Sequence, residues 1–69
     1  MIAHCMDDLA KVNENCLYDI MLRIDGKFCW VRGVFRDIDI DNMTAEFRPV
    51  GSDVMSLTLD NIWKVRGAD

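Results

Sequence analysis

The stretch that decides the fold is Tyr18-Asp-Ile-Met-Leu-Arg-Ile-Asp-Gly-Lys-Phe-Cys-Trp-Val-Arg-Gly-Val34. Apolar and polar residues alternate up to Ile24, as they do in a half-buried antiparallel strand. Asp25-Gly26 then suits a type I′ turn, because both central residues of that turn need a positive φ, which glycine adopts without steric cost. The stretch therefore predicts a β-hairpin, and the rest of the chain is organised around it.

Further short strands follow the hairpin. The run from residue 28 to residue 40 is too long and irregular for one flat strand, and Gly33 within it predicts a bend or bulge. Residues on both sides of that run are apolar or basic, so the sequence leaves open which side is buried. Three more strands are predicted over residues 43–48, 53–59 and 63–65, with a loop at Pro49 and a single tight turn at residues 60–62.

The chain before residue 17 predicts one amphipathic helix, over about residues 3–16. Its apolar stripe recurs at spacings of three and four and consists of Ile2, Cys5, Leu9, Val12 and Cys16. The predicted architecture is a single domain, residues 1–69, of mainly β (α+β) class. The helix is followed, over about residues 17–66, by a five-stranded antiparallel SH3-like or Sm-like small barrel, whose closure would remove exposed strand edges.

The composition of the chain indicates which classes of partner it favours and where in the cell it is expected. The chain has 69 residues, of which 51% are hydrophobic, and a body this small leaves some apolar surface exposed for a second copy or another protein. Its formal charge of −4, from 8 basic and 12 acidic residues, disfavours direct binding to nucleic acid. Three cysteines without CxxC spacing, with no signal peptide or membrane-spanning run, predict a cytoplasmic protein with reduced thiols.

No motif in the sequence predicts catalysis, a cofactor or a metal site. The series Asp37, Asp39 and Asp41 begins like a calcium loop, but Asn42 and Arg48 stand where such a loop needs Gly and Glu. His4 lacks the paired ligand spacing of a zinc site and a third group to orient it for nucleophilic catalysis. The three cysteines are expected to be buried, and the chain is not expected to be an enzyme.

Aromatic and charged residues indicate where a partner would bind. Core packing explains most of the aromatics, and interleaved arginines would lie over them with their charged ends in water. The candidate contact residues are Trp30, Arg32 and Phe35 in the irregular run, together with the acidic residues Asp37, Asp39, Asp41 and Glu46. Lys64 and Arg66 are interpreted as charges that keep an edge strand soluble.

Two segments carry a resemblance to known small proteins. These are Val31-Arg-Gly-Val-Phe-Arg-Asp-Ile-Asp39 and Ser56-Leu-Thr-Leu-Asp-Asn-Ile-Trp-Lys-Val65. They resemble the barrel segment of YolD-like proteins, and the helix-then-barrel order with the Leu57–Ile62 ending is similar to Rof-like proteins, small acidic Sm-like inhibitors of the transcription terminator Rho. The resemblance implies a fold and a protein-binding mode of action; it assigns no site residue.

The leading hypothesis is a non-enzymatic, acidic regulator or inhibitor that binds a nucleic-acid-handling protein. It would occlude a basic site by electrostatic competition, and it suits a phage or mobile-element accessory protein. A homodimer is a further possibility for its exposed apolar surface. The alternative is an Sm-like oligomer that binds single-stranded RNA, which requires Arg32, Arg36 and Arg48 to converge on one face.

Overall fold

A computed structural model describes residues 6–68 of the chain. Helix α1 spans Met6–Ala10, and the strands are β1 Leu17–Ile24, β2 Lys27–Asp39, β3 Thr44–Pro49, β4 Met55–Thr58 and β5 Ile62–Gly67. The strands form one antiparallel sheet in the order β4-β3-β2-β1-β5. A mainly β fold with five antiparallel strands and one short amino-terminal helix is thus confirmed. The sheet is open, with β4 and β5 as its edges, and closure into a barrel is not shown.

The predicted hairpin is present. Strands β1 and β2 pair from Leu17 opposite Val34 to Ile24 opposite Lys27. Asp25 and Gly26 have φ values of 52° and 78°, so both central residues of the turn are left-handed, as a type I′ turn requires. The predicted turn between the last two strands is also confirmed, as one 3-10 turn over Leu59–Asn61.

Strand β2 turns Val31, Gly33 and Phe35 toward the core and Trp30, Arg32 and Val34 away from it. Gly33 lies opposite Pro49 of β3, and a Cβ atom there would stand 2.8 Å from the Cα of Pro49 and closer still to the carbonyl oxygen of Arg48. The register of β2 with β3 shifts between Phe35 and Asp37. The irregularity therefore lies at Arg36, and close approach of a neighbouring strand explains the glycine.

The core lies between the concave side of the sheet and α1. Six side chains in it have less than 2% of their surface exposed, namely Phe35, Phe47, Ile20, Leu22, Leu59 and Ile62. The Phe35 ring contacts Phe47 edge-to-face, with centroids 4.9 Å apart, and Tyr18 at 6.0 Å. Aromatic contact in this geometry adds to burial in holding β1, β2 and β3 together.

The helix is shorter than the sequence predicts. Leu9 is 2% exposed and docks α1 on the core, as predicted, but the helix ends at Ala10. Asn15 has φ 70°, and the Asn13 N–H donates to the Tyr18 hydroxyl at 2.8 Å, so the chain turns into β1 instead of continuing the helix. The part of the helix prediction that covers residues 3–5 lies outside the described residues.

The prediction of buried cysteines is wrong for two of the three. Cys16 lies in the turn before β1, and Cys29 lies opposite Leu22, near the Asp25-Gly26 turn of the β1–β2 hairpin. Both are exposed free thiols. Cys29 has the strand parity of half-buried Val31, yet its own side chain is exposed. Cys5 lies outside the described residues.

Candidate functional site

The side of the sheet that faces away from the core carries a patch of aromatic and cationic side chains on β5, β1 and β2. We call it the aromatic–arginine face. Its apolar members are Met21, Phe28, Trp30 and Trp63, and its charged members are Asp19, Arg23, Arg32, Lys64 and Arg66. Ladder pairs place Met21 opposite both Trp30 and Lys64, so Met21 lies at the middle of the patch. Phe28 and Trp30 are 52% and 46% exposed.

Side chains from β2 and β5 meet over β1. The rings of Phe28 and Trp63 make an edge-to-face contact with centroids 5.2 Å apart. The Arg66 guanidinium carbon lies 4.3 Å from the centroid of the Trp30 ring, within cation–π range. Each contact joins two strands that are not hydrogen-bonded to each other. The exposed aromatic rings are therefore held in place by their neighbours.

Asp19 sits between two arginines of this face. It pairs with Arg32 on β2 and with Arg66 on β5 in the two ladders. Arg32 donates from Nε to Oδ1 at 2.9 Å and from Nη2 to Oδ2 at 3.1 Å, which is the bidentate arrangement. These hydrogen bonds, helped by the positive charges of Arg32 and Arg66, hold the pKa of Asp19 below its ordinary value of 3.8.

A second surface lies at the other end of β2. We call it the acidic hairpin: the carboxylates of Asp37, Asp39, Asp41 and Glu46, with the side chain of Ile40, which lies between Asp39 and Asp41 in the chain. Asp37 and Glu46 are directly opposite in the β2–β3 ladder, and both are exposed. Ile40, at the start of the connecting turn, is 43% exposed. The surface thus contains four carboxylates and one exposed aliphatic side chain.

The loop of the acidic hairpin is fixed by Asp39. Its carboxylate accepts hydrogen bonds from the backbone N–H of Asn42 at 3.1 Å and from Asn42 Nδ2 at 2.6 Å. The side-chain and backbone hydrogen bonds from Asn42 lower the pKa of Asp39 below 3.8, so it is ionised at neutral pH. Met43, with φ 56°, closes the turn by donating to the Ile40 carbonyl at 3.2 Å.

The predicted contact residues divide between these two surfaces and the core. Trp30 and Arg32 lie on the aromatic–arginine face, and the four predicted acidic residues make up the acidic hairpin. Phe35 is 1% exposed in the core, which corrects its interpretation as a contact residue. Its parity puts it with Val31 and Gly33, on the side of β2 that faces the core.

Sequence reasoning missed Phe28 and Arg66. Both lie at outward strand positions of the same face as Trp30, and the period-2 pattern would have grouped Phe28 with Trp30 if the buried side of β2 had been known. Arg66 was interpreted as a charge on an edge strand. Only the contact across β1 shows that it covers the Trp30 ring.

The described residues meet the requirements of neither a metal site nor a membrane-spanning helix. Within residues 6–68 no three His, Cys, Asp or Glu side chains come together in a way that could hold a metal ion. His4 and Cys5, weighed above as zinc ligands, lie outside that range. In the same part of the chain, no helix is long and apolar enough to cross a membrane.

Comparisons of the chain with protein-family models, with curated proteins and with solved structures find no match.

Proposed function

We propose that this protein is a non-enzymatic cytoplasmic regulator that binds a nucleic-acid-handling protein through the acidic hairpin. The observation that supports this most is the cross-strand pair of Asp37 and Glu46. Like charges directly opposite in an antiparallel ladder destabilise it, by an amount on the order of 0.2–1 kcal/mol. A cost of that kind, at an exposed site beside two further carboxylates, favours a role in binding.

The mechanism would be occlusion of a basic site. Four carboxylates on a rigid two-stranded support offer a basic groove the charge that a nucleic-acid backbone would otherwise supply. Ile40, an exposed aliphatic side chain of the same hairpin, adds an apolar contact. Asp39 fixes the loop through Asn42, so little conformational entropy is lost when the hairpin docks.

We also propose that the sheet belongs to the SH3-like or Sm-like type of small barrel. Three features support this: the strand order, the single 3-10 turn between β4 and β5, and a 13-residue β2 that pairs with both β1 and β3. The resemblance to YolD-like and Rof-like proteins remains the reason for choosing a nucleic-acid-handling protein as the target class.

The test is a nuclease-treated pull-down in which captured proteins are identified and their nucleic-acid binding is measured. We expect the wild-type chain to capture a basic nucleic-acid-binding protein and to displace its nucleic acid, and Asp41→Lys to lose both effects. Asp53→Lys makes the same charge change in the exposed loop before β4, and it should behave as wild type. Equal capture by the Asp41 and Asp53 variants, or capture without displacement of nucleic acid, would contradict the proposal.

A second candidate is binding of single-stranded RNA. Arg32 faces outward on β2, Arg48 lies opposite outward-facing Val34, and Arg36 is exposed in the bulge between β2 and β3. These three arginines thus share the outer side of the sheet, beside an exposed Trp30 that could stack a base. A salt-sensitive shift of labelled RNA that Arg48→Glu abolishes would support this candidate, and the absence of any shift at low salt would exclude it.

A further inference from the structure

The aromatic–arginine face carries a positive charge that the net charge of the chain conceals. Its strand positions hold four cations, Arg23, Arg32, Lys64 and Arg66, against the single carboxylate of Asp19. That carboxylate is engaged by Arg32 in a bidentate ion pair. In a chain of formal charge −4, this face is therefore locally cationic, and the negative charge is concentrated elsewhere.

The charge decides what could cover the exposed rings. Phe28 and Trp30, about half exposed, are the kind of residues that anchor protein interfaces. Two copies of this face meeting symmetrically would bring like charges together, which disfavours an isologous dimer. The occupant that matches the face carries exposed carboxylates and an exposed apolar side chain.

The acidic hairpin of a second copy has that chemistry. Ile40 is an exposed aliphatic side chain between Asp39 and Asp41 in the turn, and Asp37 and Glu46 lie opposite each other on the adjoining strands. The face offers the complementary arrangement, with rings and Met21 at the centre and cations around them. Each surface would cover apolar area that the other leaves exposed in a monomer.

One molecule cannot make this contact with itself. Trp30 lies in the first third of β2, and Asp39 is the last residue of the same strand. At about 3.3 Å per residue the two are separated by roughly 30 Å of strand. Both lie on the side of the sheet that faces away from the core.

We propose that the acidic hairpin of one molecule docks on the aromatic–arginine face of the next, in a head-to-tail contact between copies of this chain. Such a heterologous contact leaves one free hairpin and one free face in every pair. It therefore propagates into a ring or a short chain whose length depends on concentration. Because charge complementarity drives it, association weakens as salt rises.

The contact would also regulate the function proposed above. Arg32, Lys64 and Arg66 present to the hairpin the same chemistry as a basic target site, so self-association and target binding compete. This regulatory role depends on the proposed function, whereas the head-to-tail contact itself does not. Dilution or a stronger basic target would release active monomer.

The test measures mass in solution by sedimentation velocity, over a wide range of concentration, at low and high salt, with a reductant because Cys16 and Cys29 are exposed. One variant, Asp41→Lys, disrupts the docking surface of the acidic hairpin and leaves the aromatic–arginine face intact. The other, Trp30→Ala, removes the exposed ring from the aromatic–arginine face and leaves the acidic hairpin intact. Asp53→Lys and Val50→Ala are the matched controls, at exposed positions outside both surfaces.

We expect the wild type and both controls to associate at low salt, and each of the two variants to raise the dissociation constant by at least about tenfold, as loss of a hot-spot side chain does. An equimolar mixture of the two variants should form a 1:1 dimer and nothing larger, because it retains one intact hairpin and one intact face. Restoration by mixing is the result that only a head-to-tail contact gives.

Three results would overturn the proposal: a wild-type chain that stays monomeric at low salt, an Asp53→Lys chain that dissociates as Asp41→Lys does, or a mixture of variants that stays monomeric. The pull-down separates this proposal from the function. If the chain captures its target only when Asp41 is present but does not self-associate, the proposed function alone is supported. If the chain self-associates in a salt-sensitive way but Asp41→Lys captures the target as well as wild type does, the head-to-tail contact alone is supported.

Discussion

At the scale of single residues, Gly33 is the position with the least room for change. Because the carbonyl of Arg48 and the Cα of Pro49 lie against it, Gly33→Ala must push β3 away from β2. We expect the free energy of unfolding to fall by about 1–3 kcal/mol, the usual cost of overpacking, with a lower midpoint in urea. Gly67→Ala is the matched control, since a Cβ there meets nothing within 4 Å. A Gly33 variant as stable as the control would show that β3 does not lie against this glycine.

The lowered pKa values of Asp19 and Asp39 predict that the folded protein loses stability in acid. Both have a pKa below the ordinary value of 3.8 in the folded chain. A carboxylate whose pKa is lower in the folded state than in the unfolded state stabilises the protein at pH values above the unfolded-state pKa. That stabilisation is lost as the pH falls through the folded-state pKa. Stability in urea should therefore decline below pH 3.8, and Arg32→Gln should reduce the decline by freeing Asp19. Asp53→Asn, which removes an exposed carboxylate in the loop before β4, should leave the slope as it is. An Arg32 variant with the wild-type slope would contradict the assignment.

At the scale of elements, α1 depends on one buried side chain. A five-residue helix is too short to be stable alone, so its docking through Leu9 holds it. We expect Leu9→Ala to cost about 2 kcal/mol, at the lower end for a buried leucine because the site lies at the edge of the core. Hydrogen exchange should show loss of protection in α1 with the β1–β2 amides still protected. Exchange that accelerates equally in both would mean that the helix is part of the global folding unit; Val50→Ala, on the surface, is the control.

The β2–β3 hairpin should become more stable when its function is removed. Glu46→Lys places a cation opposite Asp37 and turns repulsion into attraction, which should raise the free energy of unfolding by up to about 1 kcal/mol. The same change should abolish capture of a basic partner, a trade-off expected at functional sites. Asp53→Lys should alter neither quantity. A Glu46 variant that is less stable than wild type would remove the main support for the acidic hairpin as a binding site.

The elements also show how far the sequence predicts this fold. Period-2 alternation and Asp25-Gly26 were enough for β1 and its turn, because both are local signals. The buried side of β2 depends on the core residues that other elements contribute, and the end of α1 depends on a hydrogen bond to Tyr18. Neither could therefore be predicted from the local sequence. The acidic residues of the hairpin could be predicted from their spacing in the sequence. The contact of Arg66 with the Trp30 ring could not, because it joins strands that are distant in the sequence.

At the scale of the whole molecule, stability rests on a small core. A chain of this size has on the order of 3–5 kcal/mol from its single core, and truncating a buried phenylalanine costs about as much. Phe47→Ala should therefore leave the chain largely unfolded at room temperature, with loss of the β signal in far-ultraviolet circular dichroism. Val50→Ala, at a residue 66% exposed, should keep the wild-type spectrum. A folded Phe47 variant would mean that the core is not a single cooperative unit.

The placement of the tryptophans has a practical consequence. The chain has two, Trp30 and Trp63, and both belong to the aromatic–arginine face, while the core contains phenylalanine and aliphatic side chains. Indole emission shifts to shorter wavelength when water leaves its surroundings. The protein therefore carries its own optical reporter at the surface where a neighbour is proposed to dock, and a blue shift on concentration would be visible without any label.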